Sequence, residues 1–168
     1  MKIFDGDAWV KELSRFSFGA TSAIITSLAI IVGLGATANP QMSIIGALLV
    51  LGIADNISDS LGIHVYRESQ FTDHRGNSIH TLSNFLTRLS ITMVFVLLVL
   101  FLPMQYAVLS SIIIGMALLC FLSYFIALYH HANPLWEIVE HVGVAIVVLL
   151  ASNLLGHAIS AYFKSPIM

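Results

Sequence analysis

Five long runs of apolar residues constrain the fold of this 168-residue chain more than any other feature. The runs cover residues 16–36, 42–64, 85–102, 107–129 and 136–162. Each is close to the roughly 20 residues that a helix needs to cross about 30 Å of hydrocarbon. Lipid offers no partner to a free backbone N–H or C=O group, so these runs are expected to be helices. The sequence therefore predicts an all-α polytopic membrane protein with five transmembrane helices in a single domain, residues 1–168.

The composition agrees with a membrane protein and excludes several function classes. The chain is 58% hydrophobic and 10% charged, whereas soluble domains are about 45–50% apolar and about 25% charged. The net charge of −2 leaves no basic surface for a phosphate backbone, so no nucleic-acid partner is expected. No hydrolase elbow, phosphate loop or zinc-protease motif is present, and no nucleophile is paired with a base, so an enzyme is not expected.

The residues before the first run predict a short N-terminal amphipathic helix. Trp9, Val10, Leu13 and Phe16 recur at helical spacing with charged residues between them, a pattern typical of a helix lying on the membrane surface. The alternative is a cleaved signal peptide ending near residues 36–38, but the apolar run is longer than a typical signal sequence.

Prolines and basic residues define the connections and the orientation. Asn39-Pro40, Pro103 and Asn133-Pro134 separate successive spans, and residues 66–84 form the longest polar stretch, which predicts the only long loop. The basic residues outside the C-terminus are Lys2, Lys11, Arg15, Arg67, Arg75 and Arg88. Their positions predict an N-terminus in the cytoplasm and a C-terminus outside, and the short loops and an uncleaved start favour a prokaryotic plasma membrane.

Two acidic residues inside the second span are the strongest functional candidates. Asp55 and Asp59 are four residues apart and therefore share one face of a helix. An acidic group in a bilayer costs on the order of 2.5–3.5 kcal/mol, and such groups usually mark ion pathways or proton relays. A carboxylate pair with nearby hydroxyl and amide groups also favours a hard cation. The alternative is a structural role, in which the acids pair with Arg88 or with hydroxyls of the first span.

Histidines and small residues supply the remaining candidates. Glu137, Glu140 and His141 lie within about one helical turn, so they form either a metal-collecting cluster or a solvated helix end. His157, inside the fifth span, is either a proton relay or a hydrogen-bonded packing residue. The small residues predicted to pack against neighbouring helices are Gly33, Gly62 and Gly156.

Three segments resemble the vacuolar iron transporter family. Residues 18–33 are similar to its first-helix signature, residues 54–70 to its second, and residues 133–156 to its fifth helix. The resemblance implies a homodimer that exports ferrous iron or manganese from the cytoplasm in exchange for protons, along a pathway between the first two helices. The family's first-helix aspartate falls on Ser22, and its second-helix methionine falls on Asp59. Its glutamate-rich cytoplasmic helices are missing.

The leading hypothesis is thus a proton-coupled transporter of a divalent metal, iron or manganese, with no permanently bound cofactor. Asp55, Asp59 and His157 are assigned to proton coupling. The predicted metal ligands are Asp55, Asp59, Ser22, Thr26, Asn56, Ser58, Glu137, Glu140 and His141, with His64 as a further collecting residue. Because the family's first-helix aspartate is lost, two other interpretations stay open: the protein transports a different cation, or it no longer transports. The alternative function is a non-transporting membrane assembly partner or sensor, in which the intramembrane acids serve packing.

Overall fold

The computed structural model describes residues 6–70 and 74–164, which form five helices. The helices are α1 (Gly6–Leu34), α2 (Pro40–Gln70), α3 (His74–Phe101), α4 (Met104–His130) and α5 (Pro134–Lys164). Stretches long and apolar enough to cross a membrane are Pro40–Tyr66, Thr81–Phe101, Met104–His130 and Pro134–Phe163, and α1 adds a shorter apolar part, Gly19–Leu34. The chain is an all-α polytopic membrane protein, which confirms the predicted fold class.

Two predicted boundaries differ from the structure. The polar stretch 66–84, predicted as a loop, is helical up to Gln70 and again from His74. The predicted N-terminal amphipathic helix is the first part of α1 rather than a separate element; the structure describes the backbone of this part but not the side chains that motivated the prediction. Both differences arise because helices continue past the hydrocarbon, where water and headgroups accept polar side chains.

The helix ends follow from local chemistry. Thr37 donates its hydroxyl to the carbonyl of Leu34 at 2.8 Å, where α1 ends. His131 closes α4 in the left-handed conformation, with φ of 52°, as is common at helix C-termini. Asn133 accepts a hydrogen bond from the backbone N–H of Leu135 at 3.0 Å, so it caps α5 directly ahead of Pro134.

α1 is the central helix of the bundle. It contacts all four other helices, closely with α3, α4 and α5 and more sparsely with α2. α2 packs chiefly on α3, and α5 packs on α1 and α4. The buried apolar core is formed by Ile24, Leu28, Ile31, Ile44, Leu48, Phe95, Val96, Val99 and Ala107. This layout places the α2–α3 pair on one flank of α1, with the acidic residues of α2 turned toward α3.

Small residues bring α4 and α1 close together. The buried positions of α4 recur every four residues, at Ala107, Ser111, Gly115, Leu119, Ser123 and Ala127. The Leu28 side chain of α1 lies over Gly115, where an added Cβ would be 2.8 Å from Leu28 Cδ1. In lipid, helices associate through close packing and hydrogen bonds rather than through the hydrophobic effect, so such a row favours helix contact.

Candidate functional site: a buried arginine between two carboxylates

Arg88 of α3 contacts three polar side chains of α2. Its Nη2 donates to Asp55 Oδ2 at 2.6 Å, and its Nε donates to Asn56 Oδ1 at 2.7 Å. Its Nη1 lies 2.6 Å from Asp59 Oδ2, an ion pair that lacks the alignment of a hydrogen bond. The four residues Asp55, Asn56, Asp59 and Arg88 are called the Arg88 cluster below.

The cluster lies inside two membrane-spanning stretches. Asp55 and Asp59 lie in Pro40–Tyr66, and Arg88 lies in Thr81–Phe101. A charge at such depth is tolerated when it is paired or faces a protein interior. With both carboxylates ionised, the two acids and one guanidinium leave the cluster with one net negative charge.

Burial differs sharply between the partners. The Arg88 side chain is 1% exposed, whereas those of Asp55 and Asp59 are 42% and 38% exposed. The guanidinium is therefore enclosed by the protein, while each carboxylate has one side turned toward the surface of the chain. The sequence placed the two acids on one helix face correctly, and the structure adds the partner that both of them contact.

Glycines on α1 and α2 allow both helices to lie close to α3 at the Arg88 cluster. A Cβ at Gly19 of α1 would overlap Asn84 Oδ1 and lie 3.1 Å from Arg88 Cγ. A Cβ at Gly52 of α2 would lie 2.9 Å from the Cγ2 of Thr92, whose hydroxyl donates to the Arg88 carbonyl at 2.9 Å. Because neither glycine carries a side chain, both helices approach α3 closely around the Arg88 cluster.

Several buried polar atoms around the cluster lack a hydrogen-bond partner in the described part of the chain. Asn84 donates through Nδ2 to Ser60 Oγ at 3.3 Å, but its Oδ1 has no partner, and neither has Asn56 Nδ2. Asp55 and Asn56 also line a polar recess of about 10 Å³ between α1, α2 and α3, to which Thr26 contributes. A volume of this size matches about one water molecule.

The predicted oxygen shell is only partly assembled. Asn56 lies beside both acids, but its carbonyl oxygen accepts from Arg88. Ser58 is exposed on α2 and follows Asp55 by three residues, which places it on the same side of the helix as that acid; its role in this shell stays a prediction. Ser22 is partly buried on α1. Among the described residues, no three His, Cys, Asp or Glu side chains come together in a metal-binding group.

The second predicted metal cluster lies on the first turns of α5. His141 Nδ1 is 3.8 Å from Glu137 Oε2 and 2.9 Å from the Glu137 carbonyl oxygen. A carbonyl only accepts, so Nδ1 carries the proton in that bond and Nε2 remains as the nitrogen that can bind a metal. Glu140 is exposed. This region offers a pair of ligands rather than the predicted three-residue cluster.

The remaining predicted residues lie apart from the Arg88 cluster. His157 is exposed and, with Asn153, lines a groove of about 440 Å³ between α1, α4 and α5. Gly156 and Gly33 meet where α5 crosses α1. A Cβ at Gly62 would have no neighbour within 4 Å in the described part of the chain, so the predicted packing role of Gly62 within the chain is wrong.

Sequence reasoning considered Arg88 only as one alternative partner and missed Asn84, Gly19 and Gly52 as parts of the site. The signal for Arg88 was present, because it lies inside an apolar stretch of α3 and an arginine at that depth requires an acidic partner. The signal for the glycines was absent, since a glycine in a helix does not reveal which neighbour approaches it.

Comparison with known proteins adds no further assignment. No family model matches the chain, no curated protein matches it, and no solved structure matches it. The function therefore has to be argued from the chemistry of the Arg88 cluster.

Proposed function

We propose that the protein transports a divalent metal cation, iron or manganese, across a membrane in exchange for protons. The observation that carries this proposal is the pair Asp55 and Asp59, which lie within a membrane-spanning stretch and remain about two-fifths exposed although both contact Arg88. A fully structural ion pair would be expected to enclose both partners, because unpaired carboxylate surface in lipid is costly. Only the arginine is enclosed.

The chemistry of the cluster suits a cation that exchanges with protons. Arg88 contacts each carboxylate through Oδ2, and the exposed part of each acid is surface through which a cation can approach the pair. A metal ion binds the deprotonated form of a carboxylate, so a cation and protons compete for the same two acids. Asp55 and Asp59 are the proposed metal-binding and proton-carrying groups.

The remaining parts of the proposal rest on features of the sequence. Glu137 and His141 are proposed to collect metal at one mouth of the protein, and two copies of the chain are proposed to form a homodimer. The distribution of Lys and Arg supports a cytoplasmic N-terminus and an external C-terminus in a prokaryotic plasma membrane.

The second candidate function is a non-transporting membrane module that uses the Arg88 cluster for assembly. The observation that favours it is the complete set of Arg88 contacts, since all three guanidinium nitrogens contact α2. In that case the acids fix α2 against α3, and neutralising one of them lowers stability without any effect on metal movement.

Asp59→Asn distinguishes the two functions. In liposomes containing the purified protein, we expect Mn²⁺ uptake to fall to the level of protein-free liposomes, because an amide neither carries the negative charge nor exchanges a proton. The matched control is Ile57→Val, an exposed position on the same helix, which should keep wild-type uptake. Wild-type uptake by a correctly folded Asp59→Asn protein would reject the transport proposal.

A further inference from the structure

We propose that Arg88 is a built-in competitor for the transported cation, so that the cation binds Asp55 and Asp59 only when the guanidinium leaves them. This inference rests on the proposed function and adds to it the group that regulates access to the site. It follows from three observations: the oxygen atoms that Arg88 occupies, the charge balance of the cluster, and an unpartnered acceptor beside the arginine.

The arginine already occupies the acidic oxygens that a metal needs. Both Asp55 Oδ2 and Asp59 Oδ2 lie 2.6 Å from guanidinium nitrogens. A guanidinium is not deprotonated in proteins, so its charge stays in place unless the side chain moves. A divalent cation and the guanidinium therefore cannot hold the same carboxylate oxygens at the same time.

The charge balance favours exchange over simultaneous binding. The cluster with Arg88 in place carries one net negative charge, and adding a divalent cation would convert it to one net positive charge at bilayer depth. Two carboxylates alone neutralise a divalent cation completely. Uncompensated charge in a low-dielectric region is costly, so the guanidinium opposes a cation held directly beside it, and a withdrawn guanidinium needs a polar partner of its own.

The structure offers an acceptor for the withdrawn guanidinium. Asn84 lies one helical turn before Arg88 on α3, and its Oδ1 is buried and without a hydrogen-bond partner among the described residues. Asn84 Oδ1 and Arg88 Cγ both border the same face of Gly19. In the proposed metal-bound state the arginine side chain turns toward Gly19 and donates to Asn84 Oδ1.

Arg88→Gln tests the competition through an effect that loss of stability alone would not produce. Mn²⁺ affinity of the purified protein in lipid nanodiscs, measured by calorimetry, should rise roughly 5- to 150-fold, the range expected when a coupled competitor is removed. Glutamine keeps an amide donor for Asn56 but has no charge. Arg88→Lys retains the charge and should keep the affinity within a few-fold of wild type.

A second variant keeps the test informative if Arg88→Gln does not fold. Asn84→Leu removes the acceptor for the withdrawn arginine and leaves the two acids and Arg88 unchanged, so it should weaken Mn²⁺ binding by about tenfold. Mn²⁺ binding that is unchanged or weaker in folded Arg88→Gln would contradict the proposed competition. Unchanged Mn²⁺ binding in Asn84→Leu would contradict it as well. Neither result would by itself contradict the transport proposal. If the wild-type protein binds no Mn²⁺, or Asp59→Asn binds it equally well, the proposed function fails first.

Discussion

Gly156→Ala is expected to separate α5 from α1 and to destabilise the protein by about 3 kcal/mol or more, the upper range for overpacking. A Cβ at this position would overlap the carbonyl oxygen of Gly33 and lie 2.9 Å from its carbonyl carbon. The obstacle is backbone, so no rotation of a side chain relieves it. One turn further along α5, Ser160 Oγ donates to the Ala36 carbonyl at 2.7 Å. Separation of the two helices should weaken this hydrogen bond as well.

Gly143→Ala is the matched control for this prediction. It lies on the same helix, and an added Cβ there would have no neighbour within 4 Å in the described part of the chain. Alanine is a better helix former than glycine by about 1 kcal/mol, so this variant should be as stable as wild type or slightly more stable. Thermal unfolding in detergent, followed by helical circular dichroism, measures both. Equal unfolding temperatures for the two variants would contradict the close contact between α1 and α5.

Arg88→Leu is expected to destabilise the protein by about 3–5 kcal/mol, the range for breaking a buried charge pair by removing one partner. Asp55 and Asp59 would lose their shared cation, and Asn56 Oδ1 would lose its donor. The two carboxylates would then carry two negative charges inside a membrane-spanning stretch without a positive partner.

Restoring neutrality should rescue this variant. In the Arg88→Leu background, Asp55→Asn together with Asp59→Asn removes the repulsion between the two carboxylates and should recover at least half of the lost stability. Ser90→Leu, at an exposed position on the same helix, is the control and should unfold close to the wild-type temperature. If Arg88→Leu unfolds at the same temperature as Ser90→Leu, Arg88 does not hold α2 against α3.

Most of the fold could be predicted from the sequence because membrane spans have a strong physical signature. Twenty or so apolar residues in a row have few alternatives to a helix in lipid, and Pro103 and Asn133-Pro134 separate helices near the predicted positions. The stretch 66–84 was misassigned because polarity signals exposure to water, and it does not exclude a helix that extends beyond the hydrocarbon.

The site was less predictable, for reasons visible in α2. The four-residue spacing of Asp55 and Asp59 fixed their common face. Ser58 was assigned from its spacing alone, and its exposure on α2 leaves its role as a ligand a prediction. The contacts of Arg88 and Asn84 depend on how α3 is placed against α1 and α2, which is set by the close approach at Gly19 and Gly52. Local spacing carries no information about that approach.

The most direct test of the cation site is simultaneous measurement of Mn²⁺ and proton movement by the wild-type protein in sealed liposomes with an internal pH dye. With a Mn²⁺ gradient imposed, we expect protons to move against the metal, and we expect both fluxes to vanish together in the Asp55→Asn, Asp59→Asn double variant. Mn²⁺ and proton fluxes that equal those of protein-free liposomes, from a protein that retains its helices, would contradict a transporting role for the two acids of the Arg88 cluster.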